Sequence, residues 1–212
     1  MLIHNKQIKI KICGITQLKD AVYAVKHGAD AVGFIFYKKS PRSVAMKVVR
    51  DIIIKLPPFV HTVGVFVNEK VEGVNKIAEY CGLDLVQLHG NESPSFCRKV
   101  RPRVIKAFRV KDLQSIKQLE KYPVSGFLLD TFSESKHGGT GKVFDWNLAH
   151  PAKKFGPVIM SGGLTPLNIR QALSQVRPYG VDVCSGVEKS PGIKDPEKVR
   201  AFLENIRSWS NS

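Results

Sequence analysis

The chain has 212 residues, with 33 Lys or Arg against 18 Asp or Glu, which gives a formal net charge of +15. Hydrophobic residues make up 43% of it, a value typical of globular proteins that excludes a disordered or fibrous chain. No continuous run of about 18 apolar residues is present, so no membrane-spanning helix is predicted. The surplus of positive charge favours anionic partners, either phosphorylated metabolites or nucleic acids.

The cysteines indicate a cytoplasmic protein with reduced thiols. Cys13, Cys81, Cys97 and Cys184 show neither C-x-x-C pairing nor the spacing of metal ligands. The first residues also lack the apolar stretch of a secretory signal. We therefore expect neither a stabilising disulfide nor a bound metal.

Strand-like and helix-like segments alternate along the chain. Eight short segments, rich in Val, Ile, Leu or Phe and closed by Gly or a polar residue, are predicted as strands. They are Ile8–Cys13, Ala31–Phe36, His61–Val67, Leu85–His89, Val104–Phe108, Gly126–Asp130, Val158–Ser161 and Gly180–Val183.

Helical periodicity fills the segments between these strands. Three apolar stripes consist of Leu18, Ala21, Val22 and Val25; Val44, Val48, Ile52 and Leu56; and Val71, Val74, Ile77, Ala78 and Cys81. Ser93, Thr165 and Asp195 each precede a proline, which predicts a capped helix start at all three places. The last start opens a helix with Val199, Phe202, Leu203 and Ile206 on one face, and a short helix is predicted near Phe144–Ala149.

Eight strands that are each followed by a helix predict an α/β protein with an all-parallel sheet. Closing the sheet into a (β/α)8 TIM barrel leaves no unprotected edge. No linker or shift in composition divides the chain, so residues 1–212 are predicted to form one domain. An open doubly wound sheet is the alternative architecture.

Active sites of such barrels lie at the C-terminal ends of the strands. Period-two alternation predicts that Lys11 and Cys13 in the first strand and Asp130 in the sixth point inward. A thiol and a carboxyl group that face one cavity can act as general base and general acid. A buried structural cysteine and a loop-capping carboxylate are the alternatives for Cys13 and Asp130.

Glycine-rich loops follow the last two strands, where barrels of this type commonly bind phosphate. Backbone N–H groups near Gly162, Gly163, Ser185 and Gly186 can approach an anion closely. Arg42, after the second strand, can hold a carboxylate or can be a solvated loop charge. His89 is either a site residue or a structural histidine, and no ligand motif accompanies it that would indicate a metal.

The same residues lie in motifs that closely resemble phosphoribosylanthranilate isomerase, in order and over essentially the whole chain. The motifs are KICGIT (11–16), DAVGFIFYKKSPR (30–42), VGVFVN (63–68), VQLHG (86–90), LLDT (128–131), GGTGKVFDW (138–146), SGGL (161–164) and VDVCSGVEKSPGIKD (181–195). The resemblance implies an enzyme of tryptophan biosynthesis. Its reaction is the Amadori rearrangement of N-(5-phosphoribosyl)anthranilate to 1-(2-carboxyphenylamino)-1-deoxyribulose 5-phosphate, without a cofactor.

The resemblance also implies residue roles. Cys13 is the general base and Asp130 the general acid, while Arg42 lies near the anthranilate carboxylate and His89 lines the pocket. The phosphate cradle consists of backbone groups around Gly162, Gly163, Ser185 and Gly186. The expected partner is therefore a small phosphorylated substrate, with no specific nucleic acid and no membrane, and the protein is expected to be a monomer or a homodimer.

The sequence leaves two other functions possible, and it departs from the family pattern at one position whose role is undecided. The related histidine-pathway aminoimidazole-carboxamide ribotide isomerase has aspartates at both catalytic positions. A nucleic-acid-binding protein would suit the net charge and the basic cluster at 98–103. Where the family usually reads DVSSGVE, Cys184 replaces the first serine. This cysteine is either a conservative replacement or able to form an inactivating disulfide with Cys13.

Overall fold

The computed structural model describes residues 7–131 and 146–210. Eight parallel strands, each hydrogen-bonded to the next, form a barrel that closes where β8 pairs with β1. They are β1 (Lys9–Ile12), β2 (Ala31–Ile35), β3 (His61–Phe66), β4 (Leu85–Leu88), β5 (Arg103–Val110), β6 (Gly126–Thr131), β7 (Val158–Met160) and β8 (Gly180–Val183). The predicted closed barrel is confirmed, and the open doubly wound alternative is wrong.

The predicted strand bounds differ from the observed ones by at most two residues at either end. Helices follow the strands at α1 (Leu18–Lys26), α2 (Met46–Ile53), α3 (Val71–Cys81), α4 (Pro94–Lys99), α5 (Leu113–Lys117), α6 (Ala149–Ala152), α7 (Ile169–Val176) and α8 (Pro196–Ser210). Short 3-10 turns lie at Gln118–Lys121, Trp146–Leu148, Lys153–Phe155 and Ser185–Val187, and a two-stranded hairpin follows at β9 (Glu188–Ser190) and β10 (Ile193–Lys194). The predicted helix near Phe144–Ala149 lies partly outside the described residues.

Two of the three predicted helix starts are confirmed. The Ser93 hydroxyl accepts the Phe96 N–H at the start of α4, and the Asp195 carboxylate accepts the N–H of Glu197 at the start of α8. The start predicted at Thr165 is wrong, because α7 begins four residues later, at Ile169.

The apolar stripes are only partly buried. Val22 and Val48, predicted on the inner faces of α1 and α2, are 44% and 41% exposed, and Val49 is buried in place of Val48. The last helix follows its prediction, because Val199, Phe202, Leu203 and Ile206 are all buried.

Alternation along the strands separates the core from the barrel interior. Ile8, Ile10 and Ile12 belong to the main core, where they pack in one cluster with the inner faces of the helices. Lys11, between them, points into the barrel and pairs there with Asp182. A smaller apolar cluster of Ile105, Ala107 and Leu128 fills part of the barrel.

Candidate active site

A cavity of about 250 Å³ opens at the C-terminal ends of the barrel strands. It brings together seven of the eight predicted site residues: Cys13, His89, Asp130, Gly162, Gly163, Ser185 and Gly186. Gln87 and Asp182 add polar groups to the same lining, and Ile35, Val65 and Leu164 add apolar surface. Arg42, the eighth predicted residue, is not among the lining residues.

Cys13 is buried directly after β1, where its backbone N–H donates to the Val183 carbonyl at 2.8 Å. This bond places it beside Cys184 on the neighbouring strand end. The Cys184 thiol lowers the pKa of Cys13 by hydrogen bonding, with help from the Lys11 ammonium, although burial and Asp182 act in the opposite direction. The same hydrogen bond raises the pKa of Cys184. Of the two thiols, Cys13 is therefore the one that ionises more readily.

Lys11 supplies a permanent positive charge beside Cys13. Its Nζ donates to Asp182 Oδ1 at 2.9 Å and to Gln87 Oε1 at 2.8 Å, in a position where all three side chains are almost fully buried. Burial alone would lower the pKa of Lys11, but Asp182 and the Cys13 thiolate raise it above its ordinary value. The charge is thus paired with carboxylate and is available to stabilise a neighbouring thiolate.

Asp130 ends the inward face of β6, as predicted, and its Oδ2 lies 3.1 Å from His89 Nε2. The Nδ1 atom of the same imidazole lies 2.9 Å from Gln87 Nε2. Asp130 and His89 are about a quarter exposed, so both can reach a bound molecule. No cluster of three or more His, Cys, Asp or Glu side chains suited to a metal occurs within residues 7–131 and 146–210.

The glycine loops after β7 and β8 meet at one side of the cavity. Gly162 and Gly163 have φ values of 82° and 68°, a conformation that other residues adopt only with strain. A Cβ atom on Gly186 would lie 1.9 Å from the Leu164 carbonyl oxygen, so only glycine allows the two loops to approach this closely. Backbone groups of both loops therefore line the cavity, which an anion-binding site at this position would require.

Arg42 is held by an acidic partner that the sequence did not indicate. Its Nε and Nη2 atoms donate to the Glu188 carboxylate at 2.8 and 2.6 Å. The same carboxylate accepts from Lys194 Nζ at 3.1 Å and from the Gly192 N–H. Burial would raise the pKa of Glu188, but the two cations hold it below its ordinary value. Arg42 is therefore fixed in orientation and is not a solvated loop charge.

A buried ion pair that sequence reasoning missed stabilises the loop after β4. Lys106 Nζ donates to the carbonyl oxygens of Leu88 and Gly90, which flank His89 in the chain. It also lies 3.3 Å from the Glu92 carboxylate, which accepts the N–H of Gly90. The two side chains are nearly inaccessible, and together they fix the backbone that carries His89.

A second cavity, of about 230 Å³, lies at the N-terminal ends of the strands. Its charged lining includes Lys9 and Asp30, which pair with each other at 2.9 Å, and Arg103. The two cavities are similar in size, so their chemistry distinguishes them. Only the C-terminal cavity combines a low-pKa thiol, a carboxyl group and glycine loops.

Comparison with known proteins identifies the family to which this arrangement belongs. The family model for N-(5'-phosphoribosyl)anthranilate isomerase matches residues 10–205. The chain belongs to this family. It is similar to the curated N-(5'-phosphoribosyl)anthranilate isomerase of Geotalea uraniireducens (strain Rf4), with 55% identity over 94% of this chain and 98% of the relative. The corresponding protein of Geobacter sulfurreducens is 52% identical, over 95% of this chain and all of the relative.

Solved structures of the family superpose on the barrel described above. The structure of phosphoribosyl anthranilate isomerase from Thermotoga maritima has a TM-score of 0.88 and 45% identity, and covers 95% of this chain and all of its own. A structure in complex with reduced 1-(o-carboxyphenylamino)-1-deoxyribulose 5-phosphate has a TM-score of 0.87 and 43% identity at the same coverage. The family expected from the sequence motifs is thus confirmed, and the histidine-pathway alternative is wrong.

Proposed function

We propose that this chain is an isomerase of tryptophan biosynthesis, which converts N-(5-phosphoribosyl)anthranilate to 1-(2-carboxyphenylamino)-1-deoxyribulose 5-phosphate. One observation carries the assignment beyond family membership. A single cavity holds a thiol of lowered pKa, a carboxyl group and two glycine loops. These are the groups that an Amadori rearrangement of a phosphorylated sugar requires.

Asp130 acts as the general acid in the first step. Its carboxyl proton passes to the furanose ring oxygen, the C1–O bond breaks, and the nitrogen lone pair forms the C1=N bond of the open-chain Schiff base. Asp130 is left as a carboxylate. The position of His89 Nε2, 3.1 Å from Oδ2, supports this step because an N–H donor there stabilises the new charge.

Cys13 acts as the general base in the second step. Its thiolate removes the proton from C2, the C2–H electron pair forms the C1=C2 bond, and the C1=N pair returns to the protonated Schiff-base nitrogen to give the neutral enolamine. The enolamine then takes a proton at C1 and loses the proton of the C2 hydroxyl to become the ketose. The lowered pKa of Cys13 supports this role, because a base has to be unprotonated before it can act.

Two further groups bind the ends of the substrate. Backbone N–H groups of Gly162, Gly163, Ser185 and Gly186 receive the phosphate, and Arg42 faces the anthranilate carboxylate. The Nε and Nη2 atoms of Arg42 are engaged by Glu188, so Nη1 is the atom proposed to contact the carboxylate. Arg42 and Lys194 share the single carboxylate of Glu188, and the remaining positive charge favours a substrate with two anionic groups.

The reaction is proposed to proceed without a cofactor and in the cytoplasm. All four cysteines are free thiols, which suits a reducing compartment. No helix in the described parts of the chain is long and apolar enough to cross a membrane. The protein is proposed to be a monomer or a homodimer, and one related structure is of monomers generated from the dimeric enzyme of Thermotoga maritima.

The activity is tested with purified protein and phosphoribosylanthranilate generated in place, in buffer containing a metal chelator. We expect an accelerated loss of anthranilate-type fluorescence and a product of unchanged mass with the NMR spectrum of the ketose. No acceleration from demonstrably folded protein would overturn the proposal. A duplex titration at physiological salt tests the nucleic-acid alternative, which only tight binding would support.

A further inference from the structure

A continuous chain of polar side chains crosses the barrel beneath the cavity. Asp182 accepts from Lys11 at 2.9 Å, Lys11 donates to Gln87 at 2.8 Å, Gln87 lies 2.9 Å from His89, and His89 lies 3.1 Å from Asp130. Gln87 is the central link, since it contacts both the lysine and the imidazole. It is 1% exposed, so each of its polar atoms depends on these partners rather than on water.

The lysine decides how the amide of Gln87 is oriented. An ammonium group has three donors and no acceptor, so the Gln87 atom 2.8 Å from Lys11 Nζ has to be the carbonyl oxygen. The amide nitrogen then faces His89 Nδ1 and can only donate to it. A neutral imidazole that accepts at Nδ1 carries its proton on Nε2, which is the atom beside Asp130.

We propose that Gln87 is a positioning residue that fixes His89 as the Nε2–H tautomer, so that His89 donates a hydrogen bond to Asp130. This rests on the proposed function, in which Asp130 becomes a carboxylate when it protonates the ring oxygen. An Nε2–H donor stabilises that carboxylate. In the other tautomer the nitrogen lone pair would face the Asp130 oxygen across 3.1 Å, and the negative charge would be disfavoured.

The tautomer is measured first, by nitrogen-15 NMR of the histidine side chains in the free wild-type enzyme at pH 8. His89 is assigned with the His89→Gln variant. We expect the His89 Nδ1 signal of an unprotonated nitrogen and the Nε2 signal of a protonated one. A proton on Nδ1 would overturn the proposal, whether or not the enzyme is an isomerase.

Two substitutions of Gln87 separate positioning from space filling. Gln87→Glu is almost the same size but accepts at both ends, so we expect it to move the His89 proton to Nδ1. Gln87→Met fills the same volume without a donor, and we expect kcat to fall about tenfold, the value of one hydrogen bond to a charged group, with KM unchanged. Circular dichroism and thermal unfolding confirm that each variant is folded.

The combined results decide the proposal. A Gln87→Glu spectrum identical to that of the wild type would overturn the tautomer assignment. If Gln87→Met has the kcat of the wild type, the hydrogen bond from Gln87 to His89 is not important for turnover, and that part of the proposal is overturned. An isomerase-inactive wild type with the expected tautomer would instead refute the proposed function, so the two failures are distinguishable. If Gln87→Glu does not fold, the wild-type nitrogen-15 spectrum still tests the tautomer, and the kcat of Gln87→Met still tests the role of Gln87 in turnover.

Discussion

Replacing Cys184 by alanine tests how the thiolate of Cys13 is stabilised. The hydrogen bond from Cys184 is the largest of the contributions that lower the pKa of Cys13 below its ordinary value. Alanine removes this donor, while burial and Asp182 continue to raise the pKa. Lys11 continues to lower it, so the pKa of Cys13 moves back towards the ordinary thiol value of about 8.5.

The size of the effect follows from the ionised fraction. A thiol with an ordinary pKa of about 8.5 is roughly 3% ionised at pH 7. We therefore expect kcat/KM of Cys184→Ala to fall by about tenfold or more at pH 7 and to recover towards pH 9. The sign follows from the role, because a base is inactivated when the pH falls through its pKa.

The assay is a pH profile of kcat/KM, together with the ultraviolet absorbance of the thiolate in the free enzyme. Cys184→Ser is the matched control, because its hydroxyl keeps a donor beside Cys13, and its acid limb is expected to stay near that of the wild type. If the acid limbs of Cys184→Ala and the wild type coincide, Cys184 does not tune the base.

Three further results are expected. Gly186→Ala places a Cβ atom against the Leu164 carbonyl, so KM for the substrate rises and the thermal shift with inorganic phosphate disappears; an unchanged shift would contradict the proposed cradle. Glu188→Gln leaves a buried Lys194 charge unpaired and is expected to cost about 3–5 kcal/mol in urea unfolding, and a loss below about 1 kcal/mol would contradict the pairing. Hydrogen peroxide is expected to oxidise the Cys13 thiolate to a sulfenic acid. The Cys184 thiol then attacks the sulfenic sulfur and displaces its hydroxyl group, which gives a disulfide and water. Mass spectrometry detects this crosslink. If it is absent, Cys13 and Cys184 are hydrogen-bond partners that do not form a disulfide.

Local rules were sufficient to predict most of the barrel and part of its site. Alternation along a strand depends only on backbone geometry, so the sequence alone predicts that Lys11, Cys13 and Asp130 point inward. The same rule applies to Gln87 and His89, which lie two residues apart at the end of β4. Hydrogen bonds observed between these inward side chains are the direct consequence.

Contacts between distant loops could not be predicted in this way. Arg42 and Glu188 are 146 positions apart, and nothing in either loop indicates the other. The start of α7 was misplaced for a related reason. The Asn168 side chain accepts the Thr165 N–H and donates to the Gly163 carbonyl, which holds a turn where the Thr-Pro pair predicted a helix. This turn connects the glycine loop to α7, so a tertiary requirement overrides the local signal.

The most direct test of the catalytic assignment compares three variants in the fluorescence assay. Cys13→Ala and Asp130→Asn each remove one proposed proton-transfer group, and we expect each to lower kcat by about 100-fold or more. Cys97→Ala is the matched control, since Cys97 is buried on α4 outside the cavity, and its kcat is expected to equal that of the wild type. Wild-type kcat in either Cys13→Ala or Asp130→Asn would contradict the acid–base assignment.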